Sequence, residues 1–254
     1  MFEREEGQAV VEAALVLPAM IFLLLLTIQL TQLQRARILA DYAAFAAART
    51  GIVYNGDPDK MKDAATMAIL PGYGRTDGFI EIGKTLARFK VAEAALTPLG
   101  LEQVRIYVHN PVAADFAQFG QHLDGQEIDF DDVRPGATEA TLLSLQVRYL
   151  YELRVPFANK LIQTVWLAAH AGLLARWRGW DLTGPRLAMQ NGPDAVAVSR
   201  IAAAGTRVAD GTPEGIPIAA LVTLGNAAGR FFLPVEAFYT MRMQSNPYLK
   251  WARP

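Results

Sequence analysis

"EEGQAVVEAALVLPAMIFLLLLTIQL", residues 5–30, is the stretch on which the fold turns. From Ala13 to Leu26 it holds no polar side chain, and only Thr27 and Gln29 interrupt the run before Leu30. That length is close to the minimum, roughly 17–18 residues, for a helix that crosses a bilayer. At its front edge stands Glu12, a carboxylate that is costly beside lipid unless it is paired. A cleaved secretory signal would begin with basic residues, carry a shorter apolar core and end at a small-residue cut site. Here the start is "MFEREEGQ", more acidic than basic, and "TQLQRARILADYAAFAAARTG" follows. A retained membrane anchor is therefore the expectation, with a signal peptide or a buried core helix as the alternatives.

Beyond Leu30 the apolar residues thin to a stripe, Leu33, Ile38, Tyr42 and Phe45, with alanines between and Arg35, Arg37, Asp41 and Arg49 on the other side. This is helical spacing. One long helix over residues 8–50 follows, its first half in lipid and its second half in water or packed on a domain. Gly51 offers the stop, and Pro18 inside the helix removes one backbone hydrogen bond.

Residues 51–254 carry equal numbers of acidic and basic side chains. "NGDPDKMKDAATMAILPGYG" predicts a helix capped by Asp57 before Pro58 and ending at Pro71. "GKTLARFKVAEAALTPLG" predicts a second, turning Leu86, Phe89, Val91, Ala92 and Leu96 to a core. The period then changes to two. "EQVRIYVHNP" (Val104, Ile106, Val108) and "TLLSLQVRYLYELRVPF" (Leu143 to Val155 in alternation) predict half-buried strands. "FFLPVEAFYTMRMQS" predicts a last strand. Between the first two lies "DFAQFGQHLDGQEIDFDDVRPG", which reads as a long acidic surface loop over residues 115–132 and beyond. Residues 158–177 read as a buried or interfacial helix, too short in its uncharged part to span a bilayer. "ARWRGWDL" after it, with Trp177 and Trp180 beside Arg176 and Arg178, suits an interfacial aromatic belt. The fold class is thus α+β, a long N-terminal helix followed by a mixed domain with an antiparallel sheet.

The chain has a net charge of -1, from 24 basic and 25 acidic residues, and no cysteine. The first disfavours a nucleic-acid partner; the second excludes disulfides and thiol chemistry. His109, His122 and His170 are too far apart for a helical metal pair, and His170 reads as a core or interface residue. Gly72, Gly74 and Gly78 in "GYGRTDG" lack the lysine and preceding strand of a phosphate loop. Asp124, Asp129, Asp131 and Asp132 offer oxygens to a calcium ion, but not at EF-hand spacing. No nucleophile elbow or histidine-acid pairing is present. No catalytic residue, metal site or cofactor is expected.

One constellation carries a mechanism. If the chain is cut after Gly7, the new amine at Gln8 lies about one helical turn from Glu12 and can neutralise it, within one subunit or between two. With these residues "GQAVVEAALVLP" resembles the N-terminal motif of type IV pilin-like proteins, and more closely the TadE-like minor pilins of the tight-adherence (Flp) pilus. The resemblance is dense over residues 5–50. It implies that a prepilin peptidase cuts between Gly7 and Gln8 and that Glu12 serves processing or assembly. Ala13 stands where cleaved members commonly have phenylalanine or tyrosine. The resemblance further implies a leader over residues 1–7, a transmembrane, pilin-like helix over 8–50 and a periplasmic or extracellular domain over 51–254. The partners it implies are inner-membrane lipid, other pilin-like subunits, the pilus assembly platform and a prepilin peptidase. Charge bias alone, Arg4 before the span against Arg35 and Arg37 after it, would put the domain in the cytoplasm. The alternative function is an uncut, membrane-anchored periplasmic binding protein or enzyme that uses the second half of the chain.

Overall fold

The computed structural model describes residues 3–170 and 218–252. Helix α1, Glu3–Gly51, runs unbroken through Pro18 and ends at the glycine. Helix α2, Pro58–Ile69, starts from Asp57, whose carboxylate accepts from the Asp59 and Lys60 N–H groups, and runs into a 3-10 turn at Leu70–Gly72. Then come α3, Phe79–Leu96, and strand β1, Val104–Asn110. Two short helices, α4, Ala113–Phe119, and α5, Ala137–Ala140, precede β2, Leu142–Leu153. Helix α6, Ala158–His170, helix α7, Ile218–Ala228, and β3, Phe231–Arg242, complete the described chain. The architecture is α+β as expected: a long apolar N-terminal helix and an antiparallel sheet in the order β1-β2-β3.

Because strand side chains alternate between faces, the register sorts the sheet into two surfaces. Val104 and Ala237 lie on the strands flanking β2, opposite Tyr149 and Val147 respectively. Leu143, Leu145, Val147, Tyr149, Tyr151 and Leu153 join them in one buried core, over which α1 lies against β2 and β3 while α2 packs on α1 and β1. The residues of α1 that enter this core are Ala36, Ala40, Ala43, Ala44, Ala47 and Ala48. Their spacing of three and four is one helical stripe, and the absence of bulk lets the helix axis approach the sheet. At the end of that stripe a Cβ on Gly51 would stand 2.5 Å from Leu143 Cδ2 and from Met61 Sδ, so any side chain there has to displace both.

Several expectations change here. Leu33 and Phe45 pack toward the core, and the Phe45 ring meets Tyr239 edge-on at 5.3 Å, but Ile38 and Tyr42 are 68% and 57% exposed. The docking face is the alanines, not the large residues. In α3, Phe89 and Leu96 are buried as predicted, whereas Val91 is exposed. Strand β2 alternates in sequence yet is buried on both faces: Ser144, Gln146 and Arg148 are covered as well. Polar cross-strand pairing makes this tolerable. The Thr240 hydroxyl donates to Ser144 Oγ at 3.1 Å, Gln146 Oε1 lies 2.9 Å from His109 Nε2, and Arg148 sits over the Tyr107 ring.

The acidic segment is not a plain solvated loop. Phe116, Phe119, Ile128, Ala137 and Ala140 form a second, small core. Asp115 is buried and accepts from the Val112 N–H, and Asp132 accepts from Arg134, whose guanidinium also donates to the Phe119 carbonyl. The apolar residues set between the acids account for the difference. The aromatic belt at Trp177 and Trp180, and much of the alanine- and glycine-rich stretch before β3, lie outside the described residues.

Candidate functional site

The feature that sets this protein apart is the part of α1 that the domain leaves uncovered. From Val10 to Ile28 the helix carries Leu15, Leu17, Met20, Ile21, Leu23 and Leu24 at 52–72% exposure, and the most apolar window of the helix has no buried residue. At 1.5 Å per residue the exposed stretch is about 28 Å long, close to the roughly 30 Å hydrocarbon thickness of a bilayer. The helix is long and apolar enough to cross a membrane. Large side chains point out on every side, so nothing in the described fold competes for them.

Glu12 lies near the far end of this stretch, exposed, with Val10, Val11 and Leu15 around it. Gly7 and Gln8 lie within the same helix, one turn before it. The structure therefore puts the three predicted residues on one continuous helical segment, away from the folded domain.

Where the free stretch ends, Gln29 marks a seam that sequence reading passed over as a mere interruption of the apolar run. It is fully buried, and its Oε1 accepts the Val155 N–H at 2.8 Å. Three residues on, Gln32 Oε1 accepts from the Tyr151 hydroxyl at 3.4 Å. On either side of Gln29, Thr27 and Thr31 turn their hydroxyls back to the carbonyls of Leu23 and Thr27, which hides their polarity within the helix. The sequence carries no signal for the seam, because Gln29 is one of three glutamines, with Gln32 and Gln34, that follow the apolar run.

Beside the seam, a cavity of about 200 Å³ is lined by Gln32, Arg35, Tyr149, Tyr151 and Arg154. Burial pushes the Tyr73 phenol up to about 12 and raises Tyr149 well above its usual value, the neighbouring Tyr73 adding to the latter. Arg154 opposes both shifts. Both phenols therefore stay neutral through the physiological range. The cavity lining has no carboxylate, histidine or nucleophile. Nearby, Arg230 binds Glu152 through two parallel bonds of 2.7 and 3.0 Å, which closes the start of β3 onto the end of β2.

The histidines do not meet. His109 is buried between Gln146 and the stacked Phe238 ring, His122 is in a 3-10 turn and His170 ends α6. Asp124, Asp129, Asp131 and Asp132 do not assemble a cation site; among the described residues no group of three acidic or histidine side chains could hold a metal.

No curated protein and no solved structure matches the chain. A family model does match, that of TadE-like protein, and it covers residues 7–49. Those bounds take in Gly7, Gln8, Glu12, the whole free stretch and nearly all of the alanine-packed half, and they end two residues before α1 does. Over residues 7–49 the chain is similar to TadE-like proteins.

Proposed function

We propose that the protein is a minor pilin-like, single-pass component of a Tad pilus or a related type IV pilus machine for secretion or adhesion, structural rather than catalytic. The free half of α1 crosses the bacterial inner membrane, and the domain stands on its periplasmic or extracellular side. One observation carries this reading: a helix exposed over about a bilayer's thickness in its first half and sealed into a domain in its second. In this role apolar burial holds the helix in lipid, and the Glu12 carboxylate fixes its register against a neighbouring subunit. The amine that neutralises it is freed at Gln8 when a prepilin peptidase cuts after Gly7.

The test is Glu12→Ala in cells that assemble the pilus. Piliation or recruitment of the protein is lost while membrane insertion stays intact; normal pili in that strain discard the role of Glu12. Intact-mass measurement of the mature protein separates the processing step. A first residue of Gln8 supports the cut, and retained Met1 removes it and leaves an uncut anchor.

A further inference from the structure

Helix α6 begins beside the point where α1 leaves the domain. Val155, whose N–H binds Gln29, opens the turn "VPFA" into α6, and α6 packs against α1. The apolar arc of α6 is wider than the core it covers. Ala158, Ile162 and Trp166, four residues apart, face inward, the first and last fully or almost fully buried. The adjoining row, Phe157, Leu161 and Val165, has the same spacing and is 74%, 43% and 53% exposed. Phe157 also adopts φ 63, a left-handed conformation that is rare for a bulky residue, and so holds its ring in the open at the cost of backbone strain. On either side of it stand Arg154 and Lys160, both exposed, and no carboxylate occurs from Arg154 to His170.

We propose that the Phe157, Leu161 and Val165 row lies in the interfacial layer of the same bilayer that the free half of α1 crosses, with Arg154 and Lys160 reaching the lipid phosphates. The inference rests on the anchor reading above. Its occupant is lipid because the row is continuous with the membrane-spanning surface: Gln29 is the last docked residue of α1, and its partner is two residues from Phe157. An amphipathic helix with apolar side chains on one arc and cations at its flanks is built for that layer. The domain is then seated on the membrane and cannot swing about the seam, which fixes the angle at which it meets neighbouring subunits.

Because the native chain has no cysteine, Leu17→Cys, Leu161→Cys and Val133→Cys can each be labelled singly in the full chain. Each carries an environment-sensitive dye in vesicles of phosphatidylethanolamine and phosphatidylglycerol, with brominated lipid or aqueous iodide as quencher. Val133 is 91% exposed and belongs to the segment bound at the opposite end of the docked helix, about 33 Å from Gln29 along its axis. The expected result is a blue-shifted dye at Leu161, quenched by shallow-brominated lipid and shielded from iodide, while Leu17 responds to deep bromines and Val133 to iodide alone. Iodide quenching at Leu161 with Leu17 still in lipid overturns the seating and leaves the anchor. Shielding of Leu161 from both quenchers means a protein surface covers it and also overturns the proposal. Iodide quenching at Leu17 overturns the anchor reading itself, and the seating with it.

Discussion

In α1, Leu15, Leu17 and Leu23 stand in the open, whereas Ala40, Ala43 and Ala47 are sealed in the core that α1 forms with α2 and the sheet. A helix belonging wholly to a soluble core would reverse this, burying its large residues and exposing its small ones. The difference lies in the two partners. Lipid is fluid and closes around any side-chain shape, so apolar bulk on every side lowers the free energy of insertion. A β-sheet is a fixed surface, and a helix gains most contact with it by coming close, which the alanine stripe permits. Hydrophobicity alone does not separate these environments; side-chain size does.

The strongest way to break that contrast is to put the same bulk in both halves. Ala44→Leu drives a leucine into the fully buried docking face of α1, where overpacking costs about 1–3 kcal/mol or more. Ala14→Leu adds the same atoms to the exposed half and leaves domain stability unchanged, within about 0.5 kcal/mol. Denaturant unfolding of the full chain in detergent, followed by tryptophan fluorescence, measures both. Equal losses would mean that the two halves are not in different environments.

This size rule explains why part of the fold was legible in the sequence and part was not. The long helix, the Asp57 cap and the three strands follow from periods and local turn chemistry. The docking face is hard to see in the sequence because its signal is small residues, and the large Ile38 and Tyr42 fall outside it. Burial of the second face of β2 was hidden because Ser144, Gln146 and Arg148 look solvent-facing until their cross-strand partners are known. The site was legible in a different way. Gly7, Gln8 and Glu12 were found from a motif and lie on the free helix, but Gln29 and Phe157 acquire meaning only from a long-range hydrogen bond and a backbone angle.

A second prediction tests the seam itself. Gln29→Ala leaves the buried Val155 N–H without its acceptor, and an unsatisfied buried donor costs about 1–3 kcal/mol. The loss should be local at first: the Val155 amide and those of the first turn of α6 exchange faster in hydrogen exchange, while the amides of β2 paired to β3 keep their protection. Uniform loss of protection would show that the seam is not a separate closure but part of the global core.

The smallest effect is silent at neutral pH. In the unfolded chain tyrosine ionises near 10.0, its ordinary value, whereas burial holds Tyr73 at about 12 and raises Tyr149 as well. An acid whose pKa is higher when folded loses its proton first in the unfolded state. Its contribution is therefore fully present below pH 10 and fades as the pH climbs through the folded values. Domain stability should thus fall between about pH 10 and 12, with the tyrosinate absorbance of the two phenols appearing late or only on unfolding. Lysines also lose charge in that range, so the control is Tyr73→Phe, which should flatten the fall without lowering stability at pH 7. The free half of α1 has no titratable group from Ala13 to Ile28, and its helicity in lipid should not change over the same range. If the alkaline transition is unaltered in Tyr73→Phe, the tyrosine pair does not secure the docked half, and the contrast between the two halves rests on packing alone.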